Sequence, residues 1–213
     1  PPANEPPTHW PEGKLLKYSS SQWVIVERDA SGFKAHKPWH IDVTGREVKR
    51  RGDAPWPLWR ESDALEHGRG LWITEAEGEK CAAWLMVGGL VAVSQPGHDH
   101  ACANIEARYR RLLEAGVTGV VYLADNDATG QRKGNKCAAA AAAVGLPLLV
   151  IPAAEVWPGL PNGGSIDDAP GTAAERVKAV EAAISAALER HREQEREQLA
   201  AADSGAFELE TDE

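Results

Sequence analysis

From Leu71 onward the sequence alternates between short apolar runs and longer segments with helical spacing, and this alternation constrains the fold more than any other feature. The apolar runs begin near residues 71, 90, 119 and 146, and the helical segments are 79–87, 104–115 and 131–144. Strands that alternate with helices form βαβ units, whose right-handed crossovers give a parallel sheet covered on both faces. We therefore expect an α/β domain with a parallel sheet of about four strands and flanking helices.

The other segments suggest a chain of five parts. Residues 1–13 contain five prolines and predict an extended linker, and residues 14–70 predict a small, mostly β subdomain rich in tryptophan. The α/β domain is expected over residues 71–170. A C-terminal helix is expected over residues 171–201, followed by a disordered acidic tail over residues 202–213.

Charge is distributed unevenly along the chain. The formal net charge is −9, and residues 188–213 contain nine acidic against three basic residues. An acidic total therefore does not exclude a nucleic-acid partner, because phosphates respond to local charge. No apolar run reaches the roughly 20 residues that span a bilayer, so we expect no membrane contact. The three cysteines are widely spaced, which argues against a disulfide framework and favours a reducing cytoplasm.

Carboxylates follow two of the predicted strands. Glu75 and Glu77 follow the first strand, and Asp125 and Asp127 follow the third. Ligands of open α/β sheets gather at the carboxyl ends of the strands, and residues two apart in an extended chain share a face. Like charges placed together are unfavourable unless a cation offsets them, and Mg²⁺ prefers carboxylate oxygens. Taken alone, the second motif is equally compatible with an Asx turn at Asp125 and a helix cap at Asp127.

The two motifs together, in this order, resemble the TOPRIM domain. The first reads Ile-Thr-Glu-Ala-Glu-Gly-Glu-Lys over residues 73–80, and the second reads Val-Val-Tyr-Leu-Ala-Asp-Asn-Asp-Ala-Thr-Gly over residues 120–130. The family pattern is a hydrophobic strand ending in Glu-Gly, followed later by a hydrophobic strand ending in Asp-x-Asp. The similarity is to the primase type, found in DnaG-like primases and in phage and plasmid primase-helicases, and it covers residues 56–170. The Ser-Gln-Pro-Gly run over residues 94–97 also resembles a loop of that group.

This resemblance implies a set of carboxylates around divalent ions, Mg²⁺ or Mn²⁺. The set comprises Glu77, Asp125, Asp127 and, by a looser match, Asp167 or Asp168. Glu77 would act as general base or acid in nucleotidyl transfer, or as an indirect metal ligand. Glu75 remains a second candidate for that role, although the following Gly78 favours Glu77.

Basic side chains follow both acidic motifs and are expected to bind the phosphates of nucleotide or DNA: Lys80, Arg132, Lys133 and Lys136. The basic character of residues 128–134 departs from many relatives, which carry an acidic residue there. Lys133 and Lys136 could instead only solubilise an alanine-rich helix. His98 and His100 could hold zinc, face the active site or belong to a polar loop.

The resemblance implies a metal-dependent enzyme, the catalytic part of a DNA primase or primase-helicase that joins ribonucleoside triphosphates on a single-stranded DNA template. Because the chain begins with Pro1 and lacks both a zinc module and a Walker loop, we expect it to be part of a longer protein. A helicase is an expected partner, in the same or another chain. Two alternatives stay open. One is a TOPRIM nuclease that cleaves phosphodiesters, and the other is an inactive TOPRIM module that binds DNA or a replication partner.

Overall fold

The computed structural model describes residues 14–28, 34–97 and 99–208. The predicted linker over residues 1–13 and the last five residues of the predicted tail lie outside this part. Within it, the N-terminal region forms an antiparallel sheet in the order β1-β2-β3-β4. Its strands are β1 (Lys14–Lys17), β2 (Gln22–Arg28), β3 (Lys34–Ile41) and β4 (Glu47–Val48).

One face of this antiparallel sheet is buried. Alternate residues of a strand point to the same face, so Leu16 on β1 and Val24 and Val26 on β2 pack together. Tyr18 and the fully buried Trp56 complete this small apolar cluster. The predicted β character of this region is therefore present in the structure, with a core of its own.

The rest of the described chain forms an α/β unit around a parallel sheet in the order β6-β5-β7-β8. The strands are β5 (Trp72–Ala76), β6 (Ala92–Ser94), β7 (Gly119–Ala124) and β8 (Leu148–Pro152). The helices are α1 (Glu61–His67), α2 (Glu79–Val87), α3 (Cys102–Glu114), α4 (Ala128–Val144), α5 (Ala153–Val156) and α6 (Ala173–Glu208). The predicted α/β fold with a four-stranded parallel sheet is confirmed.

Helices cover both faces of the parallel sheet. On one face, Val120 and Tyr122 of β7 pack with residues of α3 and α4. On the other face, Val121 and Leu123 of the same strand pack with residues of α2, α5 and α6. All six residues of β7 are buried, which explains why this strand reads as an uninterrupted apolar run rather than an alternating one.

The strand order places a topological switch point between β5 and β7. The chain leaves β5 through α2 to reach β6 on one side, and it then crosses to β7 on the other side of β5. Crossovers that diverge in this way open a crevice at the carboxyl ends of the two central strands, where α/β proteins bind ligands. Glu77 lies just beyond the end of β5, and Asp125 directly follows β7.

The antiparallel sheet is joined to the α/β unit close to this crevice. The Tyr18 hydroxyl donates a hydrogen bond of 2.5 Å to Oε1 of Glu79, the first residue of α2. The backbone N–H of Trp59 donates to the Ser94 carbonyl at 2.8 Å, and the Ser94 N–H donates back at 3.4 Å. The N-terminal region is therefore held against the end of the parallel sheet where ligands would bind.

Several element boundaries differ from the expectation. Helix α4 begins at Ala128 rather than residue 131, because Asp127 caps it. Helix α6 continues to Glu208, seven residues beyond the predicted end, into the segment predicted to be disordered. Strand β5 continues to Ala76, which brings Glu75 into the sheet. Among the described residues, no helix combines the length and apolar character needed to cross a bilayer.

Candidate active site

Glu77 lies at the centre of the candidate site and contacts two other elements. Its Oε1 accepts a hydrogen bond of 3.0 Å from the backbone N–H of Asp125. Its Oε2 accepts from Nζ of Lys133 on α4 at 2.6 Å. The Glu77 side chain is only 5% exposed. Both carboxylate oxygens are therefore engaged, and they connect the ends of β5 and β7 to the start of α4.

Asp125 carries the clearest electrostatic signature of the site. Burial, together with the neighbouring charges of Glu77, Asp167 and Asp127, raises the pKa of its carboxyl to about 7 against the opposing charge of Lys133. A carboxylate in this setting is stabilised either by a proton or by an additional cation. The expected crowding of acidic groups at the strand ends is thus present at Asp125.

Asp127 is the N-cap of α4. Its Oδ1 accepts the backbone N–H of Gly130 at 2.7 Å, the bond expected of a helix-capping aspartate. The residue between the two aspartates, Asn126, exchanges backbone hydrogen bonds of 2.8 Å with Gly163 and Gly164. The loop that precedes the second acidic pair is thereby fixed beside Asp127.

A close backbone approach explains the glycine in the second motif. A Cβ atom on Gly130 would lie 2.4 Å from the Asp125 carbonyl oxygen and 2.6 Å from Oε1 of Glu77. Any larger residue would push these groups apart. The glycine therefore lets α4 begin directly against the Glu77–Asp125 contact.

The structure separates the roles of Asp167 and Asp168. Oδ2 of Asp167 lies 3.0 Å from Nζ of Lys80, and the charge of Asp167 also acts on Asp125. Asp168 instead accepts the backbone N–H and the hydroxyl of Ser165 at 2.9 and 2.8 Å, which holds the pKa of its carboxyl below the usual range. Of this pair, Asp167 is the residue whose charge acts on the site.

Glu75 lies inside the core rather than at the edge of the sheet. Its side chain is fully buried, and Oε2 accepts a hydrogen bond of 2.9 Å from the Tyr109 hydroxyl. The Cys137 thiol lies 3.7 Å from its other oxygen. Burial raises the pKa of Glu75 to about 7. Between the two candidate glutamates, Glu77 is therefore the one that borders the crevice.

The basic residues expected to bind phosphate have partners within the protein. Lys133 bonds to Glu77, Lys80 pairs with Asp167, and Lys136 donates to the carbonyl oxygen of His100. Arg132 is exposed and donates to the Thr129 hydroxyl at 3.2 Å. In this conformation two lysines neutralise carboxylates of the site.

Of the two candidate histidines, His100 is among the described residues and His98 lies outside them. Burial, and then the charges of Lys133, Arg108 and Lys136, lower the pKa of His100 to about 4. His100 is therefore neutral at physiological pH and lies close to the basic residues of α4.

The donor atoms of the site suit a hard divalent ion, although they are not closed around one. Among the described residues, no three His, Cys, Asp or Glu side chains are grouped closely enough to hold a metal. Mg²⁺ commonly takes only one or two protein carboxylates and completes its shell with water and phosphate oxygens. Asp125 and Asp167 carry oxygens of the kind that such an ion prefers, and the charge of Asp167 disfavours the anionic form of Asp125 until a cation offsets it, so the residue types present fit the ion.

A cavity of about 360 Å³ adjoins the site. It lies between the antiparallel sheet and the carboxyl end of the parallel sheet, and it is lined by Tyr18, Val24, His36, Glu77, Gly78, Glu79, Gln95, Gly97 and Lys133. Its volume is in the range of small-molecule sites. Sequence reasoning missed Tyr18, Val24 and His36, since no motif marks residues that the N-terminal sheet brings to the site. The sequence did point to residues 94–97, two of which line the cavity, but only through their resemblance to a loop of primase-type domains.

A buried arginine fixes one side of this cavity. Arg108 is fully buried and donates through Nη1 to Oε1 of Gln95 at 2.8 Å. It also forms an ion pair with Asp99 and donates through Nε to the Trp56 carbonyl at 2.5 Å. Oδ2 of Asp99 accepts the Trp56 N–H at 3.0 Å. This network joins the loop after β6 to the segment that follows the antiparallel sheet.

Comparison with known proteins gives one structural likeness. No protein-family model matches the chain, and no curated protein matches it. A crystal structure of a DNA primase domain from Pseudomonas aeruginosa is similar, with a TM-score of 0.43 and 19% sequence identity. The match covers 73% of this chain and 51% of that one, so this chain spans about half the length of the solved domain.

Proposed function

We propose that the chain is the catalytic part of a DNA primase or primase-helicase. It would join ribonucleoside triphosphates on a single-stranded DNA template, with Mg²⁺ or Mn²⁺ as cofactor. The observation that carries this proposal is the contact of Glu77 with Asp125 at the switch point of the sheet, where Asp125 is destabilised as an anion. The sequence resemblance to primase-type TOPRIM domains rests on the same residues.

Each acidic residue has a distinct place in this proposal. Asp125 and Asp167 would hold the divalent ion, with Asp127 contributing the oxygen that does not cap α4. The ion would supply charge neutralisation of the phosphates and a lower pKa for the attacking hydroxyl. Glu77 would accept a proton from that hydroxyl once its contact with Lys133 is released.

The cavity beside the site is where we place the nucleotide. Its walls combine an aromatic and a histidine side chain from the antiparallel sheet with Lys133 and the Glu77–Gly78 turn. Arg132 and Lys136 lie on the same helix as Lys133 and extend the basic surface for phosphates. The N-terminal sheet would thus contribute to nucleotide or template binding. A helicase, in the same or another chain, is the further partner in this proposal.

The test is a priming assay on single-stranded DNA with labelled ribonucleoside triphosphates and Mn²⁺ or Mg²⁺. We expect template-dependent RNA products from the wild type and none from Asp125→Asn. Asp168→Asn is the matched control. It also removes a negative charge near the site, but the Asp168 carboxylate is bound by the Ser165 hydroxyl rather than by the site. Products from Asp125→Asn equal to those of the wild type would contradict the proposal.

The same samples separate the two alternatives. A nuclease would shorten labelled DNA in a metal-dependent way without nucleotide incorporation, since water would then be the nucleophile. An inactive module would bind single-stranded DNA equally well with and without metal and in the Asp125→Asn variant. The engagement of both Glu77 oxygens in the present conformation favours this second alternative over the first.

A further inference from the structure

Lys133 lies where a cation would neutralise the site. Its ammonium is 2.6 Å from Oε2 of Glu77, and its charge also acts on Asp125. The Glu77 side chain is 5% exposed and that of Lys133 is 38% exposed. The carboxylate is therefore nearly enclosed, while the lysine that neutralises it still reaches solvent.

Lys80 makes an equivalent contact on the α2 side of the site. Its Nζ lies 3.0 Å from Oδ2 of Asp167, and the two side chains are 28% and 15% exposed. Two of the carboxylates that act on Asp125 are thus paired with lysines from different helices. The same lysines are among those that sequence analysis assigned to phosphate.

We propose that Lys133 is a displaceable counter-ion: it neutralises Glu77 in the metal-free protein and turns into the adjoining cavity to bind the triphosphate when a divalent ion binds. This inference rests on the proposed metal-dependent function. It assigns one side chain two successive partners, first a carboxylate of the protein and then a phosphate of the substrate.

The geometry makes this exchange feasible without movement of the backbone. Lys133 and Glu77 both line the 360 Å³ cavity. Rotation about the side-chain bonds of Lys133 therefore carries its ammonium from the Glu77 carboxylate into the cavity. A lysine is suited to this, because its charge sits on a flexible four-carbon chain. A divalent ion at Asp125 repels the Lys133 ammonium, whose charge acts on Asp125 as well as on Glu77, and this repulsion favours the movement of the lysine to the phosphates.

Competition between two cations at one site has a measurable consequence. The ammonium of Lys133 acts on Asp125 as well as on Glu77, so it repels a divalent ion held by Asp125, and removing the ammonium must strengthen metal binding. The triphosphate loses its lysine in the same variant, so its binding must weaken. A lysine that stays paired with Glu77 would produce the first effect without the second, and a simple phosphate-binding lysine would produce only the second.

The experiment is a Mn²⁺ titration followed by electron paramagnetic resonance on the whole chain, comparing the wild type with Lys133→Met. Lys178→Met, an exposed lysine of α6, is the control for the change in net charge. We expect the Mn²⁺ dissociation constant of Lys133→Met to fall by about fivefold or more, and that of Lys178→Met to stay within about twofold of the wild type. ATP binding at saturating Mn²⁺ should weaken by about fivefold in Lys133→Met alone.

The outcomes separate this inference from the proposed function. Mn²⁺ binding by the wild type that is unchanged in Lys133→Met overturns the inference and leaves the metal-dependent function standing. Absence of Mn²⁺ binding in both proteins overturns both. Mn²⁺ binding that appears only in Lys133→Met supports the inference strongly. Lys133→Gln, which keeps a polar side chain, is the second variant if Lys133→Met does not fold, and the same shifts are expected of it.

Discussion

The backbone N–H of Asp125 donates a hydrogen bond of 3.0 Å to the carboxylate of Glu77. This bond links the segment that follows β5 to the segment that follows the adjacent parallel strand β7. The contact spans 48 residues of sequence and fixes the distance between the two acidic motifs. A carboxylate that accepts a backbone N–H in this way is held in one orientation before any ligand binds. The site is therefore built from main-chain geometry as well as from side chains.

Replacement of Asp125 by asparagine should stabilise the metal-free protein while abolishing metal-dependent activity. Because the pKa of Asp125 is raised to about 7, ionisation opposes folding progressively as the pH rises from about 4 to about 7. Asparagine removes that penalty, which we put at about 1 kcal/mol at pH 8 after screening by water. Thermal unfolding at pH 8 and pH 5 measures it, and the gain should be larger at pH 8.

Asp168→Ala provides the control of opposite sign. The pKa of Asp168 is lowered by its bonds to Ser165, so its ionised form favours folding at neutral pH, and that contribution is lost as the pH falls. The alanine variant should therefore be less stable than the wild type at pH 8. Equal unfolding temperatures for wild type and Asp125→Asn at pH 8 would contradict the electrostatic account of the site.

Glu75 should give the protein a second, separate dependence on pH. Its pKa is raised to about 7 by complete burial, so the folded state binds a proton that the unfolded state releases, and stability falls between about pH 4.5 and pH 7. In Glu75→Gln this loss, about 2 kcal/mol, should be absent. Urea unfolding at pH 5.5 and pH 8 provides the measurement. Addition of Mg²⁺ should not change the difference, because Glu75 does not border the crevice.

Gly130→Ala should disrupt the site and the fold together. Its new Cβ would lie 2.4 Å from the Asp125 carbonyl oxygen, so either α4 or the end of β7 must move. We expect a loss of about 2 kcal/mol, in the range for overpacking, together with loss of activity. Gly78→Ala is the control, since a Cβ there meets nothing within 4 Å. Similar unfolding free energies for the two variants would show that the close approach is unimportant.

Arg108→Met should be strongly destabilising, because it removes the nearer charged partner of the buried Asp99 and leaves Arg51, at 4.0 Å, as the remaining one. Breaking a buried ion pair from one side costs about 3–5 kcal/mol. The loop with Gln95 should also lose its position beside the cavity, so nucleotide binding should weaken in any variant that folds. Arg110→Met, at an exposed position of the same helix, should change the unfolding free energy by less than about 0.5 kcal/mol. Chemical denaturation of both variants tests this.

The meeting of Glu77 with Asp125 could be predicted from the sequence, because each residue comes at the end of an apolar run and parallel strands end at one edge of a sheet. The burial of Glu75 could not. Strand β5 continues for two residues beyond the apolar run that predicted it, which places Glu75 inside the sheet. The buried carboxyl is then satisfied by the hydroxyl of Tyr109, 34 residues away in the sequence. Strand boundaries shift easily when a distant group can satisfy a polar side chain.

The contacts of the basic residues could not be predicted from the sequence either. Lys133 was expected to bind phosphate or to solubilise α4, and the structure pairs it with Glu77, 56 residues earlier in the chain. That pairing depends on how α4 packs across the end of β5, which no local pattern encodes. The contributions of Tyr18 and His36 to the cavity depend in the same way on the docking of one sheet against the other.

The backbone bridge between Trp59 and Ser94 has a consequence for solubility. Strand β6 lies at the border of the parallel sheet, and a strand in that position offers unpaired N–H and C=O groups to any extended peptide. Trp59 takes up both groups of Ser94, so a neighbouring molecule cannot continue the sheet at that residue. A segment of the chain itself thereby covers part of this edge strand and opposes intermolecular strand addition and the aggregation that follows from it.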